Sequence, residues 1–208
     1  YVESGNTLCG PFVGKVMASA LAMGESNACM KRIVAAPTAG ACGVLPAVLV
    51  NYQKEKGTAD EQIVRALYTA AGIGQVVAAR AYIAGASGGC QAEIGTASAM
   101  AAGALTALGG GTPSQITHAA AMALKNLLGL VCDPVGGVVE VPCVKRNVIG
   151  SVNALSAADM ALAGIISRIP PDQVIDAMRE VGDQMHPSLR ETGHVFRANT
   201  PAALECCA

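Results

Sequence analysis

The chain has 208 residues, 52% hydrophobic and only 3% aromatic, with no Trp, 24 Gly and a formal net charge of −1 at pH 7. A near-neutral chain without a basic run lacks the face that a phosphate backbone requires, which argues against nucleic-acid binding. The best apolar runs, 92–109 and 116–131, are broken by Glu93, Thr96, Ser98 and Thr106 and by Thr117, His118, Lys125 and Asn126. Neither offers about 20 clean apolar residues, so no membrane span is expected.

In chain order, the pattern predicts a helix over 11–23, then a Pro- and Gly-broken stretch over 33–43. Pro46 suits the first turn of a second helix. A longer helix is expected over 60–83, with Asp60 and Glu61 favouring its positive N-terminal end. Residues 85–89 read as a loop and 92–108 as a helix stopped by Gly109-Gly110-Gly111. Thr112-Pro113-Ser114-Gln115 has the form of a capping box, opening a helix to 128. A Gly/Pro-rich loop over 132–143 holds Val138-Val139-Glu140-Val141, read as extended. Helices follow over 147–167 and, opened by Pro170-Pro171-Asp172, to 185. The tail from His186 shows little periodicity. Few runs alternate as strands do. The expected fold is all-α: one domain over 1–208, a compact bundle of apolar helices joined by Gly/Pro-rich loops. The apolar excess also suits a subunit interface, so an oligomer is expected.

Eight cysteines are present. A chain this large and core-rich does not need a disulfide framework, and residues 1–10 do not resemble a secretory signal. Reduced thiols and a cytoplasmic location are therefore expected. Cys9, Cys29 and Cys42 read as core filler. Cys90, Cys132 and Cys143 differ, because each lies on a Gly- or Pro-rich break between apolar runs. Three thiolates converging from loops make a soft-metal site with one position open, which is an iron–sulfur cluster or an open zinc site. Their spacing is too long for a zinc knuckle and unlike the compact ferredoxin runs.

The wording around these cysteines carries more. Gly89-Cys90-Gln91-Ala92-Glu93-Ile94-Gly95, the run 126–134 ending in Val131-Cys132-Asp133-Pro134, and Val141-Pro142-Cys143-Val144-Lys145-Arg146-Asn147 resemble the iron–sulfur-dependent L-serine dehydratase family. So does Ala36-Pro37-Thr38-Ala39-Gly40-Ala41-Cys42-Gly43-Val44-Leu45-Pro46. The resemblance is to the alpha chain of the two-subunit enzymes and covers about 17–192. It implies a [4Fe–4S] cluster on Cys90, Cys132 and Cys143, with the fourth iron open to substrate. It also implies conversion of L-serine to pyruvate and ammonia without pyridoxal phosphate, together with a beta subunit.

On that basis, the backbone amides over 37–43, with Gly40 and Gly43, suit a nest for the substrate carboxylate, and Thr38 adds a hydroxyl. Lys145, Arg146 and Asn147 follow a ligand directly. Lys145 and Asn147 are taken as substrate-binding, against the alternative that Lys145 and Arg146 are a solvated pair. Glu93 reads either as a partner to the ligands or as an early-helix carboxylate favoured by the dipole. The residues assign no general base: His118 reads as packed, His186 as a loop residue, and His194 lies in the tail. A base from the partner subunit is one option.

The chain opens after the place of the family's Ser-Gly-Leu-Thr-Gly-Gly type segment, so a catalytic domain lacking it is expected. Arg190-Glu191-Thr192 is followed by Gly193-His194-Val195 where the family has a Gly-Gly-Leu-Ala type run. Cys206 or Cys207 would be a fourth ligand, capping the open iron. The competing readings are a non-catalytic homologue that keeps the metal, and a cluster lyase acting on L-threonine or L-cysteine.

Overall fold

Thr96–Leu108 carries Ala, Gly, Ser or Thr at nearly every position. A helix with no polar face must be covered all round, and every residue from Thr96 to Thr106 is buried. This helix, α5, is the axis of a computed structural model that describes residues 1–192 and 199–206. Before it come α1 (Gly10–Ala28), α2 (Val44–Lys56), α3 (Asp60–Arg80) and the single turn α4 (Gly85–Gly88). After it come α6 (Pro113–Lys125), α7 (Cys143–Leu162), α8 (Pro171–Gln184) and α9 (Pro201–Cys206). Among the described residues there is no strand, so the fold is all-α as expected.

α5 packs on α2, α3, α6 and α7. Small side chains allow the close approach: a methyl on Gly103 would overlap Ile73 of α3. Because α5 is so poor in bulk, the larger core side chains come from its neighbours, including Val16, Val44, Val48 and Leu45. A second cluster joins Val77, Leu124, Val174, Ile175 and Met178 and seats α8 on α3 and α6. Buried polar groups are tied across the helices: Ser98 donates to Gly150 O at 2.8 Å, and Asn153 donates to Ser98 and Ala123.

The capping box is present in both directions. The Thr112 hydroxyl accepts from Gln115 N at 3.3 Å, and Gln115 Oε1 accepts from Thr112 N at 2.9 Å. Thr112→Ala is expected to cost about 1 kcal/mol, read as a lower urea midpoint at unchanged slope.

Several boundaries differ from the sequence expectation. α1 runs on to Ala28, and Cys9 and Cys29 flank it as exposed residues; of the three cysteines read as core filler, only Cys42 is buried. Both lie at a helix end, where the chain turns towards solvent. Residues 85–88 form a helical turn rather than a loop. α6 ends at Lys125, three residues early. α7 begins at Cys143 and stops at Leu162, four or five residues ahead of the predicted 147–167. Pro142 sets that start, since a proline ring is tolerated only at the head of a helix. The stretch expected to be extended, 138–141, follows a 3-10 turn at Val135–Gly137 and is turn from Val139 on. The isolated pairing nearby joins Cys132 to Arg190. No helix among the described residues is long and apolar enough to cross a membrane.

Candidate metal centre

The three cysteines reach one place by three different local devices. Gly89, with φ 76 and ψ 176, turns the chain sharply after α4. Cys90 then heads a π-helical turn, Gln91–Gly95, that leads into α5. Such turns widen the backbone locally and are common at functional sites. Gln91 is fully buried and anchors this turn on both sides. Its amide accepts from Gly129 N at 2.9 Å and donates to Met178 O at 3.0 Å. Its backbone N–H donates to Leu130 O at 2.9 Å. The loop that precedes Cys132 is thereby fixed against the turn that carries Cys90.

Cys132 is gripped through its own backbone. Its N–H donates to Leu189 O, and its C=O accepts from Glu191 N, both at 2.8 Å. Arg190, between them, donates to Asp183 O and Met185 O at the end of α8. Cys143 is the first residue of α7 and is buried.

Cys132 and Cys143 both lie close enough to Cys90 to act on its sulfur. Ligand atoms of Cys90, Cys143 and Glu93 all lie within 4.8 Å of one another. The thiols of Cys132 and Cys143 donate to Cys90 and hold it far below the usual thiol range, at about 3, with the charge of Arg146 adding to the effect and burial opposing it. Cys132 and Cys143 are pushed up, first by that hydrogen bond and then by burial and by the Cys90 charge. Cys90 is thus pulled down while Cys132 and Cys143 are pushed up. A soft metal centre suits this donor set, because it can take the place of the two protons and satisfy all three sulfurs.

Beside the sulfurs stands Glu93. Burial raises it to about 7, against a lowering by the Thr38 hydrogen bond, with the charges of Cys90 and Glu191 adding to the rise. The Thr38 hydroxyl donates directly to Glu93 Oε1. Gly40 lies against the same carboxylate, where a methyl would sit 2.7 Å from Oε1. The loop 37–43 is therefore wrapped over Glu93.

Asn147 holds that loop in place. It is 1% exposed. Its Oδ1 accepts from Gly43 N at 2.8 Å, and its Nδ2 donates to Gly40 O at 2.8 Å and Cys143 O at 2.9 Å. Every N–H of the amide is used inside the protein. The structure therefore brings Thr38, Gly40, Gly43 and Asn147 together beside Cys143, with Gly43 and Asn147 bonded to each other. Lys145 is exposed and is not gathered with them, because α7 turns it outward one residue before the buried Arg146.

Of the remaining candidates, Cys206 ends α9, while its side chain, together with Cys207 and His194, lies outside the described residues. His186 accepts from Ser188 N at the head of a 3-10 turn, Pro187–Leu189. His118 is half-buried on α6. Sequence reasoning did not single out Gln91 or Glu191, and it divided Arg146 between the site and solvent. The available signal was a glutamine and an arginine set inside otherwise apolar cysteine motifs, where a buried polar group needs a partner.

Comparison with known proteins gives the chain's family. A family model described as the serine dehydratase alpha chain matches residues 2–196. The chain is 54% identical over 205 residues to the probable L-serine dehydratase alpha chain of Bacillus subtilis (strain 168), covering 99% of this chain and 68% of that one. It is 55% identical over 186 residues to the corresponding protein of Latilactobacillus sakei, with 89% of each chain covered. It is 48% identical over 178 residues to the L-serine dehydratase of Mycobacterium tuberculosis (strain CDC 1551 / Oshkosh), where the match takes in 83% of this chain and 39% of the relative.

Proposed function

Since the chain belongs to the serine dehydratase alpha-chain family, we propose that it is the catalytic alpha chain of an L-serine dehydratase. It removes water from L-serine to give pyruvate and ammonia, with a [4Fe–4S] cluster held by Cys90, Cys132 and Cys143. The observation that carries this reading is that three buried cysteines, from three separate segments, gather around Cys90 beside the loop 37–43, with Cys90 and Cys143 in one group within 4.8 Å. Three sulfur donors from separate segments suit an iron–sulfur centre better than an oxygen-loving cation.

When bound, the cluster supplies a Lewis acid that polarises the β-hydroxyl of the substrate, a poor leaving group. The protein supplies the rest. The amides of Ala39 and Gly40 head a 3-10 turn, where the first N–H groups have no partner within the turn, and they receive the substrate carboxylate. The Thr38 proton is committed to Glu93, so Thr38 orients the loop through that bond rather than donating to substrate. Asn147 keeps the loop at a fixed distance from Cys143, so carboxylate and hydroxyl of one small amino acid meet their partners together. Burial of the three cysteines excludes bulk water from the ligand sulfurs. A beta-type chain completes the enzyme.

Anaerobic purification, followed by iron and acid-labile sulfide analysis, tests this. About four irons and four sulfides per chain are expected, with pyruvate formed from L-serine once the beta-type partner is added. Absence of iron after anaerobic reconstitution would overturn the reading.

A further inference from the structure

We propose that Arg146 is a positioning residue for the cysteine trio, one guanidinium that ties the helix of Cys143 to the residues on either side of Cys132 and sets a fixed positive charge beside the sulfurs. The inference rests on the cluster reading above and extends it to a residue that is not itself a ligand. Arg146 stands three residues after Cys143, so both project from the same side of the first turn of α7. It is 6% exposed, which is rare for arginine unless its charge is met.

Its contacts bracket Cys132 on both sides. Nη1 donates to Val131 O at 2.8 Å, and Nη2 donates to Asp133 Oδ1 at 3.3 Å. Its positive charge also helps to hold the Cys90 thiol down. The side chain belongs to the Cys143 helix and grips the residues flanking Cys132. Both members of the Asp133–Arg146 pair are buried, 5% and 7% exposed at the side chain. A buried pair of this kind contributes little net stability, since desolvation offsets the attraction, and it is better explained by the arrangement it enforces.

Two properties of arginine are used, and they can be separated. The planar fork engages acceptors before and after Cys132 at once, which a lysine ammonium on a flexible stem cannot do. The fixed positive charge faces sulfurs that become thiolates on binding iron. Arg146→Lys keeps the charge and loses the fork. Arg146→Gln keeps one amide donor and loses the charge.

The test uses the full chain, reconstituted anaerobically with its beta-type partner. Three quantities are read: iron retained over time under a chelator, the reduction midpoint of the bound cluster, and the melting temperature. Arg146→Lys is expected to lose iron about tenfold faster, the equivalent of one lost charge-assisted hydrogen bond, with an unchanged midpoint. Arg146→Gln is expected to lose iron faster still and to shift the midpoint to more negative potential. Lys145→Gln, one residue away and exposed, should change none of these.

Wild-type retention and midpoint in both Arg146 variants would overturn the inference and leave the cluster reading standing. A lowered melting temperature with wild-type retention and midpoint would overturn it equally, since that is a purely structural role. A wild-type protein that takes up no iron would overturn the cluster reading, and this inference with it.

Discussion

Replacing Cys90 by Ser is expected to abolish both iron loading and pyruvate formation while leaving the helical fold in place. Cys90 is the hub of the trio, since both other cysteines act on its sulfur. It is fully buried at the head of the π turn, so no neighbouring thiol can move in to replace it without repacking Gln91. Serine is close in size, which protects the core, but its oxygen is a hard and far less acidic donor than a thiol. Without the metal, several kcal/mol of leaving-group stabilisation is lost, and the rate should fall by at least about 10³-fold. Iron and sulfide analysis, far-ultraviolet circular dichroism and a pyruvate assay read the three parts separately. Cys42→Ser provides the contrast. Cys42 is also buried and reduced, but its thiol faces Met23 O at 3.7 Å and is not one of the trio. Iron loading should be retained there. If Cys90→Ser kept a full complement of iron and sulfide, Cys90 would not be a ligand.

The second large effect is expected from Gly89→Ala. Gly89 has φ 76 with ψ 176, a backbone region that is essentially closed to residues with a side chain. A methyl there would also lie 2.7 Å from Met185 Sδ and 2.9 Å from Leu130 O. The sulfur could move aside, but the carbonyl belongs to the loop that Gln91 fixes. Backbone strain and overpacking together should cost about 2–4 kcal/mol. Denaturant unfolding of the apo chain would show this as a lower midpoint. The same change displaces Cys90, the next residue, so iron loading should fall as well. Gly57→Ala separates the two causes. Gly57 ends α2 with φ 62, and nothing lies within 4 Å of the added methyl. Only the backbone term of about 1 kcal/mol applies there, and iron loading should stay at the wild-type level. Equal effects at Gly57 and Gly89 would mean that the contacts around Gly89 contribute nothing.

Much of the helical layout was readable locally, because local chemistry sets it. The capping bonds at the head of α6 join Thr112 and Gln115 to each other, so the four-residue pattern sufficed. The Ala-rich run of α5 announced a buried helix because it has no polar face to turn outward. Boundaries at the site were less legible. The π turn after Cys90 and the docking of the first turn of α7 on the loop 37–43 depend on where Gln91 and Asn147 find partners, and those partners lie 38 and 104 residues away in sequence. Lys145 and Arg146 show the limit most directly. Side by side they read alike, and helical geometry alone turns one outward and the other in. Only the position of the 131–133 loop determines that Arg146 has a carbonyl and a carboxylate to meet.

The sequence by itself determined the helical class, the capped and glycine-stopped ends, and the three cysteines worth following, since these follow from residue types and short spacings. The tertiary structure alone decided that those cysteines meet, that Glu93 stands with them under Thr38, and that Asn147 and Arg146 serve as ties. Convergence depends on how α5, α6, α7 and α8 pack, and packing joins residues whose separation along the chain carries no trace of their distance in space.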